Sequence, residues 1–179
     1  MEKYIALLRG VNVGGKNQIS MPELKKFFEN SGFMDVTTYI NSGNIIFSAG
    51  KEDTLSLQLK IHQLISDTFR LDIAVAVISA VELREALVHA PLWWGEDIDA
   101  RHNAIFVISP ANPSEIIESV GQLKPEYEQV AMYGNVIFWS APLATFSRTR
   151  FSKVVSTPSY GSVTIRNANT AKKLEQLSR

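Results

Sequence analysis

Three short runs, Ile5-Ala6-Leu7-Leu8, Ile73-Ala74-Val75-Ala76-Val77-Ile78 and Ala104-Ile105-Phe106-Val107-Ile108, are apolar at every position. A strand with one wet face alternates apolar and polar residues, so runs without alternation predict strands covered on both faces. This argues against an open RNA-binding sheet, which keeps one face free so that exposed aromatics can stack on bases. The remaining segments must therefore supply the covers.

Read in order, the chain offers them twice. A strand over 4–8 precedes a helix over 21–30 with Leu24, Phe27 and Phe28 as its apolar stripe. Strands over 36–41 and 45–47 flank the turn Ser42-Gly43-Asn44. A helix over 54–69, with Leu57, Ile61, Leu64 and Ile65 at helical spacing, leads to a strand over 73–78. The order β-α-β-β-α-β is that of the ferredoxin-like split βαβ unit. Ser79 and Glu82 then form a capping box for a short helix ending at His89, and 91–99, with Trp93 and Trp94, reads as a linker.

The pattern restarts with strand 104–108, helix 113–123, strands 129–133 and 136–139, helix 147–155 and strand 162–165, followed by a closing helix over 169–177. The expected fold is α+β, with two tandem ferredoxin-like halves and a C-terminal helix. Residues 1–78 form the first half, 79–102 the connection, and 103–179 the second half with its closing helix. Gly43-Asn44-Ile45-Ile46-Phe47 and Gly134-Asn135-Val136-Ile137-Phe138 echo each other 91 residues apart, in the same hairpin of each half.

Between the first strand and the first helix lies Arg9-Gly10-Val11-Asn12-Val13-Gly14-Gly15-Lys16-Asn17. Its glycines permit positive φ and close backbone approach, so its N–H groups can form an anion-binding concavity with Arg9 and Lys16 at the rim. The same composition also suits a plain connection from strand to helix. Gly10, Gly15 and Lys16 match the spacing of a nucleotide-binding P-loop, but Asn17 replaces the magnesium-binding hydroxyl. Ser20, Pro22 and Glu23 start the helix after that lysine, which argues against an NTPase.

In a split βαβ unit the first two strands run parallel, so this loop and Asn41-Ser42-Gly43-Asn44 fall at one end of the sheet. The expected ligand-binding group is therefore Arg9, Asn12, Gly14, Gly15, Lys16, Asn17, Ser42 and Asn44, joined by Arg166, Asn167, Thr170 and Lys173 from the C-terminal segment. These are cations, amides and hydroxyls, which orient phosphate, carboxylate or nucleobase groups. A structural polar network is the alternative. No metal site is expected, because Asp97, Asp99 and His102 lack a further ligand and read as a solvated turn.

Composition narrows the setting. The 179 residues are 45% apolar and 20% charged and contain no cysteine, which excludes disulfides and cysteine nucleophiles and suits a reducing cytoplasm. The longest apolar run is far too short for a bilayer, and no signal-peptide pattern opens the chain. The net charge of zero hides an asymmetry: residues 1–142 carry −6 and residues 143–179 carry +6. The basic segment suits either an anionic partner or the acidic remainder of the chain.

The motif from Leu8 to Asn17, the run Tyr39-Ile40-Asn41-Ser42-Gly43-Asn44, and Tyr160-Gly161-Ser162-Val163-Thr164-Ile165-Arg166-Asn167 with Thr170 and Lys173-Leu174 resemble the bacterial family termed domain of unknown function 1697. Ala168 stands where that family commonly has Trp. The resemblance spans essentially the whole chain and implies a duplicated ferredoxin-like architecture; it implies no activity and no cofactor. The expected function is cytoplasmic binding of an anionic ligand, whether a phosphorylated small molecule, a nucleotide or a nucleic acid, with no membrane partner. The alternatives are an enzyme on a phosphorylated or carboxylated small molecule, using Lys16 or His102 as acid or base, and a structural scaffold.

Overall fold

The computed structural model describes residues 1–179, which divide into two compact units. One comprises Met1–Arg84 with Leu174–Arg179, and the other Glu85–Lys173. The chain is a mixed α+β protein with two four-stranded antiparallel sheets. No helix is long and apolar enough to cross a membrane.

The first unit runs β1 (Glu2–Leu8), α1 (Met21–Asn30), β2 (Met34–Tyr39), β3 (Asn44–Ala49), α2 (Thr54–Phe69) and β4 (Val75–Ser79). Its sheet order is β2-β3-β1-β4, with every neighbour antiparallel. The alternation of β1 sends Tyr4, Ala6 and Leu8 into a core shared with Leu24 and Phe28 of α1 and with Leu57, Ile61 and Ile65 of α2. Ile5 and Leu7, on the opposite face of β1, are equally buried, as the unbroken apolar run requires. The ring of Phe47 packs against Phe33 and Phe28 at centroid distances of 4.7 and 5.6 Å. Such pairs add about 0.5–1.5 kcal/mol beyond area burial.

Helix starts follow their caps. Ser20 accepts the Glu23 N–H at 3.3 Å and opens α1, while Asp53 accepts the Ser56 N–H at 2.9 Å and opens α2. Ser79 and Glu82 exchange both bonds of a capping box and open α3 (Ala80–Val88).

The second unit contains β5 (Ala100–Val107), α4 (Pro113–Val120), β6 (Gln129–Tyr133), β7 (Val136–Pro142) and β8 (Val163–Asn167), and α5 (Ala168–Leu177) follows. Its sheet order is β6-β7-β5-β8, again antiparallel. Ile105, Ile137, Trp139 and Val163 meet Ile116 and Val120 of α4 in the core, together with Phe151 and Val154. On the other face of β7, Trp94 packs edge-on to Phe138 at 5.0 Å and donates its indole N–H to the Asn103 carbonyl at 2.8 Å.

Two expectations need correction. The helix expected over 147–155 is instead a train of 3-10 turns, Leu143–Arg148, Phe151–Ser156 and Pro158–Ser162. Its hydroxyl residues bond back to carbonyls three residues earlier: Thr149 to Phe146, Ser152 to Thr149, Ser156 to Lys153 and Thr157 to Val154. These local bonds compete with a regular helix, and Pro158 stops any continuation. The connection expected over 79–102 also loses its end to β5, where Ala100, Arg101 and His102 pair with β7. Their polarity hid the strand, because only the later half of β5 is apolar on both faces.

Candidate functional site

The glycine-rich loop folds as a miniature hairpin. Gly10, Asn12, Gly14, Gly15 and Asn17 all have positive φ, from 48° to 76°. Lys16 N–H donates to the Val13 carbonyl at 3.1 Å across Gly14-Gly15, and Asn12 N–H donates to Asn17 at 3.2 Å. Positive φ at both central residues is the signature of a type I′ turn, which glycine adopts without strain. Gly14, Gly15 and Lys16 stand exposed at the tip, and Arg9 is half-buried at the base, where its N–H donates to Ala74 at 2.9 Å.

Asn12 locks this hairpin to its surroundings. Its Oδ1 accepts the Ile19 N–H at 2.9 Å, while its Nδ2 donates to the carbonyls of Ile19 and Asn41 at 2.8 and 3.2 Å and to Asn41 Oδ1 at 3.1 Å. Asn17 Nδ2 reaches the Gly10 carbonyl at 3.3 Å. Asn44 is fully buried and donates to the Tyr39 carbonyl and to Ser42 Oγ, each at 3.0 Å. The loop therefore does lie beside the β2–β3 turn. Gly43 marks the closest approach: a Cβ there would stand 2.8 Å from that of Leu8.

Against this hairpin lies a groove of about 540 Å³ whose lining includes Asn12, Gly15, Gln18, Met21, Pro22 and Asn41. Gln18 and Asn41 are exposed along it. Its chemistry is amide hydrogen bonding above a small apolar floor, with the Lys16 charge next to Gly15 in sequence. The α1 cap adds no anion site of its own, since Ser20 already accepts the Glu23 N–H and Pro22 has none to give.

The C-terminal group belongs to the second unit. Arg166 is only 8% exposed; its Nη1 donates to Thr164 Oγ1 and the Ile165 carbonyl at 2.8 and 2.9 Å. Burial pushes its pKa down to about 10, so it keeps its charge at neutral pH. Asn167 Oδ1 accepts the Thr170 N–H at 2.8 Å and starts α5, whereas Lys173 faces solvent. Of the basic residues before it, Arg150 is anchored through Nε to the Val120 carbonyl at 2.8 Å, and Arg148 lies over the Tyr127 ring at 5.7 Å.

Gln18 of the groove escaped the sequence reading, and so did two residues of the second unit. Glu128 is 4% exposed, and its carboxylate accepts the N–H groups of Lys124, Arg150 and Phe151 at 3.1, 2.7 and 2.9 Å. It anchors the 3-10 train, a role without a local sequence pattern because its partners lie up to 23 residues away. Ser140 lies opposite His102 across β5 and β7, and the two side chains meet at 2.5 Å. Only strand register reveals that pair.

The sequence matches, over residues 1–138, the profile of a family described as "Protein of unknown function (DUF1697)". The chain belongs to the DUF1697 family. Its structure is similar to that of a conserved bacterial protein from Streptococcus pneumoniae, with a TM-score of 0.88 and 29% identity over 99% of both chains. Among curated proteins, none matches it. The resemblance read from the loop motifs is thus the family to which this DUF1697 chain belongs, and the structural likeness extends well past the matched 138 residues.

Proposed function

We propose that this DUF1697 protein binds an anionic small molecule, a phosphorylated metabolite or nucleotide, in the groove beside the 12–17 hairpin. The observation that carries this reading is the groove itself: it is bordered by a glycine turn that leaves Lys16 exposed, and it is lined by the amides of Gln18 and Asn41. Asn12, Asn17, Ser42 and Asn44 serve as the frame, spending their hydrogen bonds on holding the hairpin in place. Lys16, next to Gly15 of the lining, supplies the positive charge, and the exposed amides supply orientation.

The matching strand orders support reading the two units as tandem ferredoxin-like halves, the second with a 3-10 crossover. A cytoplasmic setting is part of the proposal and rests on the cysteine-free composition. Calorimetric titration with ADP and with inorganic pyrophosphate tests it. Lys16→Ala should weaken binding about tenfold, the worth of one charge-assisted hydrogen bond, and leave the unfolding midpoint unchanged. Equal affinity in the variant, or no binding of either probe, refutes it.

A further inference from the structure

The second unit holds a cavity of about 290 Å³ whose walls include Trp93, Asp97, His102, Glu126, Tyr127 and Ser140. His102 Nε2 lies 2.8 Å from the Asp97 carbonyl, and His102 Nδ1 lies 2.5 Å from Ser140 Oγ. A carbonyl only accepts, so Nε2 carries a proton, and in the neutral imidazole Nδ1 then presents a lone pair. Ser140 therefore donates its hydroxyl proton to Nδ1. The direction of both bonds is that of a nucleophile aimed into a general base, with the base oriented by a third group.

We infer that Ser140 and His102 form a catalytic dyad for hydrolysis of small carboxylic esters, with the Asp97 carbonyl as a positioning group. Ser140 Oγ attacks the ester carbonyl carbon as its proton passes to His102 Nδ1. The tetrahedral adduct collapses, the C–O bond to the alcohol breaks, and the alkoxide leaves with the proton from His102. Water then attacks the acyl-serine, giving its proton to His102. Ser140 Oγ departs with that proton, releasing the acid and restoring the starting state.

The walls also set substrate class. The lining includes the carboxyl groups of Glu96, Asp97, Glu126 and Glu128 and no lysine or arginine. Glu96 is paired with Lys172 at 3.7 Å, whereas Glu128 and Asp97 accept only neutral backbone N–H groups and keep their charge, so the lining is net negative. This field repels a substrate carrying its own carboxylate or phosphate. The dyad therefore takes neutral or amine-bearing esters, unlike the anionic ligand of the first unit.

Three probes test the inference on the full chain: 4-nitrophenyl acetate, the 4-nitrophenyl ester of glycine with its protonated amine, and the 4-nitrophenyl half-ester of succinate. The glycine and acetate esters should turn over, and the succinate half-ester at least about tenfold more slowly at low salt. Ser140→Ala should abolish turnover, and His102→Gln should lower it about a hundredfold or more, the usual worth of a general base. Diisopropyl fluorophosphate should label Ser140 in the native chain and fail to label the folded His102→Gln variant. The ester assay uses neither ADP nor pyrophosphate, which keeps this result separate from that of the first-unit groove. Absence of label on native Ser140, or unchanged hydrolysis in a folded Ser140→Ala variant, overturns the dyad.

Discussion

The β3-to-β4 and β7-to-β8 crossovers bridge the same positions in two sheets of equivalent strand order, yet they are held by opposite chemistry. In the first unit the crossover is α2, sixteen residues long, seated by Leu57, Ile61 and Ile65. In the second it is a train of 3-10 turns, seated by Phe151 and Val154 and tethered by the buried Glu128 carboxylate and a row of hydroxyl groups. An apolar stripe at helical spacing secures a crossover through many small contacts spread along its length. A carboxylate bound to three backbone N–H groups secures it at one point and leaves the rest of the segment irregular.

Substitutions that separate these two kinds of support sharpen the contrast. The largest effect should come from Leu57→Ala, which removes a fully buried side chain from α2 and should cost about 2–5 kcal/mol by urea denaturation. Glu128→Ala should cost about 3 kcal/mol, since it leaves three N–H groups without their acceptor, and should raise amide exchange through 143–162. A loss below about 0.5 kcal/mol, as at an ordinary surface site, would break the idea of a single polar tether. Thr149→Val removes a buried hydroxyl that donates to Phe146 at 2.7 Å and accepts from Ser152 at 3.3 Å, and should cost about 1 kcal/mol.

The smallest effect is a pH dependence confined to the helical crossover. Hydrogen bonding from Ser56 holds the Asp53 carboxyl below its usual range. A carboxyl whose folded pKa is depressed stabilises the fold above its unfolded value, near 4, and loses that contribution as pH falls through the folded value. Asp53→Ser keeps a capping oxygen and removes the titration, so its stability should decline less between pH 5 and 2 than that of the native chain (both bounds are about one unit either side of the carboxyl range). Parallel acid profiles for the two proteins would remove Asp53 from the account.

The contrast also explains what the sequence disclosed. β1 and α2 were legible because unbroken apolar runs and a helical stripe are local patterns, and Ser20 and Ser79 marked helix starts within three residues. The early part of β5 was hidden because its pairing with β7 is visible only in register, and the 3-10 train because hydroxyl back-bonds and a distant glutamate overrule its helical spacing. In the first-unit groove, the loop and the β2–β3 turn were placed together from topology alone. The sequence reading grouped the exposed Lys16 with Asn12 and Asn44, which face inward as framework, and passed over Gln18, because amide residues are equally common as ligands and as turn locks.

Anion binding by this DUF1697 chain is proposed for the first unit's hairpin groove. The most direct measurement is two-dimensional amide NMR of the full chain during titration with ADP. Binding there should give saturable shifts concentrated in residues 10–20 and 41–44, with the second unit's β5 to β8 amides unmoved. Shifts confined to the second unit, or an unchanged spectrum at millimolar ADP, would contradict it.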